Sequence, residues 1–365
     1  MRAVMLIAGA RPNFMKVAPI LRELKRRGLD GVLVHTGQHY DTAMSDVFFR
    51  ELDIPTPDHH LGVGSGSHAV QTARIMEAFE PVLMAEAPEW VVVVGDVNST
   101  LATALVTSKL REDLRCRIAH VEAGLRSHDW RMPEEVNRVL TDRLSDLLLT
   151  PSPDACANLA AEGIPGERIR FVGNVMIDSL LHGLPAARER TVLSAIGVER
   201  KKYAVATLHR PANVDAKESL TGALRSLGAV AREVPVVLPL HPRTAVAVAA
   251  HRLESLLDPL LVVESLGYLD MLALLDGALG VLTDSGGIQE ETTALGVPCV
   301  TLREETERPI TITQGTNWLA PWPPTPPGVL AAYRMATASG NSGSKPRPEG
   351  WDGKASERIV DAIVS

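Results

Sequence analysis

Aromatic residues are scarce. Only 4% of the 365 residues are Phe, Trp or Tyr, whereas 45% are hydrophobic, so Ala, Val and Leu must build a sizeable interior. Small and branched aliphatic side chains suit parallel strands covered by helices on both faces. Cysteine is nearly absent: Cys116, Cys156 and Cys299 form no close-spaced metal pattern, and Cys116 and Cys299 lie in or beside apolar runs, where cysteine packs as a small hydrophobe. No close pair of His and Cys ligands suggests zinc, so a metal is not required. No apolar run approaches the ~18 residues of a membrane span. The amino terminus enters a strand-like segment, Ala3 to Ala8, with no signal-peptide design, which places the protein in the cytoplasm with no membrane partner. Basic runs are also missing. With 37 basic against 44 acidic residues, net charge −7 and a pI near 5.9, nucleic acid is excluded as a partner.

What the chain does have is a regular alternation. Apolar runs at 3–8, 31–36, 91–94, 117–121, 146–149, 203–208, 235–240, 260–263, 279–283 and 297–302 are separated by stretches long enough for helices. Between the first two, apolar residues at 14, 17, 18, 20, 21 and 24 mark one helical face, and Gly28 is placed as a stop. The length is that of about two domains. The pattern changes near residue 174, and a charged stretch from Arg188 to Lys202 precedes a fresh strand at Tyr203. The expectation is an α/β protein of two Rossmann-like domains, 1–174 and 175–350, with a last helix in 351–365 that packs back on the first. Ligands would sit at the carboxyl ends of the strands, in the cleft between the domains. Pro321 to Pro327 is expected to form a rigid connection without regular structure, and Ser339 to Gly350 a mobile loop.

The segment Val281 to Glu291 joins an apolar strand to a helix through Ser285-Gly286-Gly287. The glycines let the backbone come close to a ligand, and free amides at the helix start favour an anion, best a phosphate or diphosphate. Glu291 lies about one turn further, roughly 6 Å along the axis, where a carboxylate can accept hydrogen bonds from ribose hydroxyls. An ordinary strand-to-helix turn with surface glutamates is the alternative.

Other polar clusters follow the apolar runs. Arg11 and Lys16 bracket the first helix start with positive charge. Asp96, after Val91–Val94, serves either as a helix cap or as a general acid/base. His120, Glu122 and Arg126 occupy alternate positions at the end of a buried run, which directs them toward one face. Glu134 and Glu135 open the next helix, where acidic residues also suit the helix dipole. His209 and His241, each beside an arginine, end two strands of the second half, where a general acid/base or a merely structural histidine fits.

With these residues in order, the chain resembles the bacterial non-hydrolysing UDP-N-acetylglucosamine 2-epimerases. The likeness extends from Gly9 to Ile359. It includes Arg11-Pro to Lys16, Gln38-His39, Gly95-Asp96, His120-Val-Glu-Ala-Gly-Leu-Arg126, Pro133-Glu-Glu-Val-Asn-Arg138, His209-Arg210, Asp284 to Glu291 and Thr306-Glu-Arg-Pro309. The resemblance implies a glycosyltransferase B-like fold and a homodimer through the amino-terminal domain. It implies reversible inversion of the carbon bearing the acetamido group, by elimination and re-addition of UDP, without nicotinamide or metal. It also implies roles: Asp96, Glu122 and Glu134 as acid/base carboxylates, His209 as partner of the leaving group, and Arg11, Ser285, Gly286, Gly287 and Glu291 as the UDP-binding set. Lys16, Arg126, Arg138, His241 and Arg308 complete the expected substrate contacts. Asn13 stands where many members have Glu, and residues 40–44 lack the polar pattern of members activated by their own substrate, which predicts hyperbolic kinetics. A 2-epimerase of a modified UDP-sugar such as a diacetamido uronic acid, a UDP-sugar-dependent glycosyltransferase and a non-catalytic sensor are the other readings.

Overall fold

All ten apolar runs form strands in the computed structural model, which describes residues 3–38, 49–340 and 347–365. The chain divides into two compact units, Met1–His182 with Glu349–Ser365, and Gly183–Pro348. Unit 1 carries β1 (Val4–Ala8), β2 (Gly31–His35), β3 (His59–His60), β4 (Trp90–Val94), β5 (Arg117–Val121), β6 (Leu147–Thr150) and β7 (Ile169–Phe171), in the sheet order β3-β2-β1-β4-β5-β6-β7. Unit 2 carries β8 (Ala204–Thr207), β9 (Val236–Pro239), β10 (Leu261–Val263), β11 (Gly280–Thr283), β12 (Cys299–Thr301) and β13 (Asn317–Leu319), in the order β10-β9-β8-β11-β12-β13. Every recorded strand pair is parallel.

The central strands are apolar throughout because helices cover both of their faces: β1 and β4 are buried at every position. In each sheet the order reverses beside the first strand, between β1 and β4 and between β8 and β11. A doubly wound sheet binds its ligands beyond the carboxyl ends at such a reversal. The segments after β1, β4, β8 and β11 are therefore the ones the fold offers for function. The strands that periodicity misses, β3, β7 and β13, are short outer strands of two or three residues without an apolar run.

The first helix, Arg11–Arg26, ends in Gly28 at φ +68°, the left-handed stop expected of glycine. At its start, Asn13 Oδ1 accepts the N–H groups of Gly9 and Ala10 at 3.0 Å each, and Asn13 Nδ2 donates to Val94 O at 3.0 Å. The Asn in place of Glu thus both caps this helix and ties it to β4.

Helix Val175–Arg188 begins at the expected change of pattern, and its first half stays with unit 1, where Ser179 Oγ donates to Met15 O at 2.5 Å. The chain returns to the same place after unit 2. Trp351 is buried and donates to Pro151 O at 3.2 Å, and Asp178 caps the last helix, Ala355–Val364, by accepting from Ala355 N at 3.1 Å and from Ser356 N and Oγ at 2.7 Å. Arg358 donates to Val172 O and Gly350 O. Gly173 and Gly350 touch backbone to backbone, so closely that a Cβ on Gly173 would lie 2.0 Å from Gly350 O.

The Pro-rich stretch is only partly irregular, a correction to expectation. Pro326 and Pro327 open the helix Pro326–Gly340, because proline is tolerated in a first turn that leaves its N–H groups unbonded anyway. Ser339 and Gly340 end that helix, and residues 341–346 of the expected loop lie outside the described residues. Among the described residues no helix is long and apolar enough to cross a membrane, and no group of three or more His, Cys, Asp or Glu side chains is placed to hold a metal ion.

Candidate active site

In unit 1, two cation–carboxylate pairs form at the carboxyl edge of β1, β4 and β5. Lys16, from the helix after β1, binds Glu122, and both side chains are buried. Arg138 binds Asp96 through one nitrogen and Glu135 through another. Gly95, at φ +68°, lies beneath the first pair: a Cβ there would meet Lys16 Nζ at 2.8 Å and Glu122 Oε2 at 3.4 Å. Asp96 does not cap the next helix. Val97 occupies the cap position, and the Asp96 carboxylate remains partly exposed on Arg138.

His120, Glu122 and Arg126 do not share a face, contrary to the strand alternation. β5 ends at Val121, and Glu122 has φ +73°, a left-handed conformation unusual outside glycine, which turns its side chain toward Lys16. His120 points inward, with Nδ1 at 2.6 Å from Asp142 Oδ1 and Nε2 at 2.8 Å from Gly95 O. Arg126 Nη2 joins the same buried carboxylate at 2.7 Å and also donates to Glu162 at 2.9 Å, and Arg126 Nε donates to Glu162 at 2.6 Å. Burial pushes the Asp142 carboxyl up, but His120 and Arg126 outweigh it and hold it below the usual range. Arg126 is thus tied to Asp142 and Glu162 in a buried network. Glu134 is half-exposed and has no hydrogen bond or ion pair with the other described residues, whereas its neighbour Glu135 is buried and fully engaged.

Unit 2 builds its site around Asp284, at the end of β11. This buried carboxylate accepts from the backbone N–H groups of His209 and Arg210 at 3.0 and 2.9 Å, from Asn213 at 3.0 Å, and pairs with His209 Nδ1 at 2.9 Å. Burial raises the Asp284 carboxyl, yet its bonds to His209, Arg210 and Asn213 win and hold it low. His209 is thereby oriented with its ring 5.5 Å from that of His241, which caps its own helix by accepting from Arg243 N at 3.2 Å.

Ser285 caps the helix Gly286–Leu295, its Oγ accepting from Ile288 N at 3.5 Å, and Gly286 and Gly287 form the first turn. A Cβ on Gly286 would lie 2.5 Å from Arg308 Nη1, so a larger residue there displaces the Arg308 guanidinium. Arg308 is held there by Glu307 and by Glu290 at 3.0 Å, and Glu307 also takes Arg303 at 2.7 Å. Sequence reasoning gave no role to Arg303, Glu307 or Glu290. Burial, reinforced by the neighbouring Glu290 carboxylate, pushes the Glu291 carboxyl up to about 8. The shift favours the protonated form, which can donate as well as accept. The Arg11 side chain and residues 39–44 lie outside the described residues.

A carboxylate pair on one Rossmann-like unit and an amide-and-guanidinium anion cradle on another are the parts a nucleotide-sugar enzyme needs, and comparison with known proteins agrees. The family model for UDP-N-acetylglucosamine 2-epimerase matches residues 22–364. The UDP-N-acetylglucosamine 2-epimerase of Methanococcus maripaludis is 40% identical, covering 97% of each chain. The UDP-2,3-diacetamido-2,3-dideoxy-D-glucuronate 2-epimerase of Pseudomonas aeruginosa is 43% identical over 99% of each. The crystal structure of Methanocaldococcus jannaschii UDP-GlcNAc 2-epimerase in complex with UDP-GlcNAc and UDP superposes with a TM-score of 0.90, at 39% identity and 99% coverage of both chains. The two Rossmann-like units are accordingly of the glycosyltransferase B-like kind, and the chain belongs to the UDP-N-acetylglucosamine 2-epimerase family.

Proposed function

We propose that this protein interconverts UDP-N-acetylglucosamine and UDP-N-acetylmannosamine. The observation that carries the reading is the pairing of each unit 1 carboxylate, Glu122 and Asp96, with a cation at the carboxyl edge of the sheet, combined with the Ser285-Gly286-Gly287 cradle and Arg308 in unit 2. A carboxylate removes the proton from the acetamido-bearing carbon as the bond between the anomeric carbon and the diphosphate oxygen breaks. The products are a glycal and UDP. A second carboxyl group then protonates the same carbon from the opposite face while the diphosphate oxygen bonds again to the anomeric carbon. Asp96, Glu122 and Glu134 supply the acid/base groups. His209, Arg308, Arg11 and the amides of Gly286 and Gly287 hold the departing diphosphate, and Glu291 meets the ribose.

Incubation with UDP-N-acetylglucosamine in heavy water is expected to yield the manno epimer with deuterium at the inverted carbon. The absence of both exchange and epimer sinks the reading. The Pseudomonas relative favours a second substrate, the diacetamido uronic acid, and exchange with that UDP-sugar alone would select it. Acceptor-dependent UDP release with retention at that carbon would indicate a glycosyltransferase.

A homodimer through unit 1 belongs to the same proposal. Helix Pro133–Leu144 turns Glu135, Arg138 and Asp142 inward and leaves Leu140 exposed, and Val70 and Met84 of helix His68–Glu86 are exposed as well. Apolar side chains facing outward on two helices suit a second copy. Light scattering is expected to give twice the chain mass, and Leu140→Glu to give a monomer; a monomeric wild type would remove this part.

A further inference from the structure

Helix Pro133–Leu144 grips the acid/base edge of unit 1 at three points. Glu135 accepts the N–H of Ser127 at 3.0 Å, the N–H of His128 at 2.9 Å and Ser127 Oγ at 3.0 Å, and also binds Arg138. Asn137 Nδ2 donates to Asp96 O at 2.9 Å. Arg138 turns another nitrogen to the Asp96 carboxylate. A single buried carboxylate therefore connects the loop after β5 to the guanidinium that holds Asp96. The loop needs such a tie, because His128 sits at φ +60°, where a residue other than glycine persists only if its surroundings hold it. Burial alone would push the Glu135 carboxyl up; the bonds from Ser127, Arg138 and His128 overcome this and hold it below its usual range.

We propose that Glu135 is a positioning residue for the acid/base chemistry, fixing the Arg138 guanidinium against Asp96 and locking that pair to the backbone of Ser127 and His128. The proposal rests on the 2-epimerase reading above. Glu135 acts through Arg138, since its acceptor positions are occupied by Ser127, His128 and Arg138. The charged groups at this edge are Arg138, Glu134 and Glu135 from the one helix, Lys16 from the helix after β1, and Glu122 after β5.

The test is Glu135→Gln in the full chain. An amide keeps the shape but turns an NH2 toward a ring of donors, so at least one of them loses its acceptor. Turnover is expected to fall about tenfold or more with KM within about threefold, the pattern of a lost transition-state arrangement. The kcat–pH profile is expected to shift, because the Arg138 guanidinium is no longer fixed against Asp96 by a second carboxylate. Glu135→Asp, which keeps the charge, should return the profile toward its original position.

A merely structural role would lower the unfolding temperature and leave the pH profile in place. A folded Glu135→Gln enzyme with wild-type kcat and pH profile overturns the proposal. If Glu135→Gln does not fold, Ser127→Ala removes one donor to Glu135; a smaller fall in kcat with the same direction of pH shift supports the assignment, and an unaltered profile overturns it. Wild-type enzyme is assayed in parallel. A wild type without epimerisation refutes the 2-epimerase reading and the proposal with it, whereas an active wild type beside an unaltered variant refutes the Glu135 assignment alone.

Discussion

Replacing Glu122 by Gln is expected to lower turnover about a thousandfold, the middle of the range for losing a positioned general acid or base. Gln keeps the side-chain volume, so the left-handed backbone at φ +73° and the packing against Gly95 survive. What disappears is the proton acceptor, together with the countercharge of the buried Lys16. Nucleotide affinity should stay within a few fold, because Ser285, Gly286 and Arg308 belong to unit 2. Turnover and deuterium uptake from heavy water report the first effect, and calorimetry with UDP the second. A variant that still exchanges the proton at the wild-type rate would exclude Glu122 from acid/base work.

The largest stability effect is expected from Gly173→Ala. Gly173 has φ +83°, a conformation that costs an alanine about 1–2 kcal/mol. Its new Cβ would also lie 2.0 Å from Gly350 O and 2.9 Å from Arg358 Nη2, an overlap with backbone that costs roughly 1–3 kcal/mol more. Gly163→Ala is the matched control: its φ is +77°, but nothing lies within 4 Å of the added carbon. Thermal unfolding of the two variants separates the dihedral cost from the collision. Equal losses would show that the contact between Gly173 and Gly350 contributes nothing.

The strands were legible because helices cover both faces of the inner ones, which makes Val91–Val94 or Val281–Thr283 continuous apolar runs. Outer strands such as Ile169–Phe171 carry no such constraint and left no pattern. At the candidate site, Lys16, Asp96 and Glu122 could be picked out because they follow strand ends, and Arg138 through the Pro133–Arg138 motif. Their grouping into pairs could not, since it depends on Glu122 leaving the strand geometry by a left-handed turn. The pairing of Arg126 was equally hidden, because its partners Asp142 and Glu162 lie 16 and 36 residues further along. One overlooked signal was available. Glu135, Arg138 and Asp142 recur at three- and four-residue spacing, a charged stripe that becomes the buried face of its helix while Leu140 faces out. An amphipathic reading orients that helix backwards, because the polar stripe is satisfied by Ser127, His128, Asp96 and His120 instead of water.

The route of the chain through its two units also sets an order of assembly. Unit 2 is one continuous segment, Gly183–Pro348, whereas unit 1 is made of Met1–His182 and Glu349–Ser365. During synthesis the ribosome delivers every residue of unit 2 before the piece carrying Trp351 and the Asp178-capped helix that closes unit 1. Unit 2 can therefore complete its own core while the surface that receives Trp351, including Pro151 and Val172, is still open. The first half of the chain therefore cannot cover the surface around Pro151 and Val172 until Glu349–Ser365 docks, whereas unit 2 holds all of its own core within one segment.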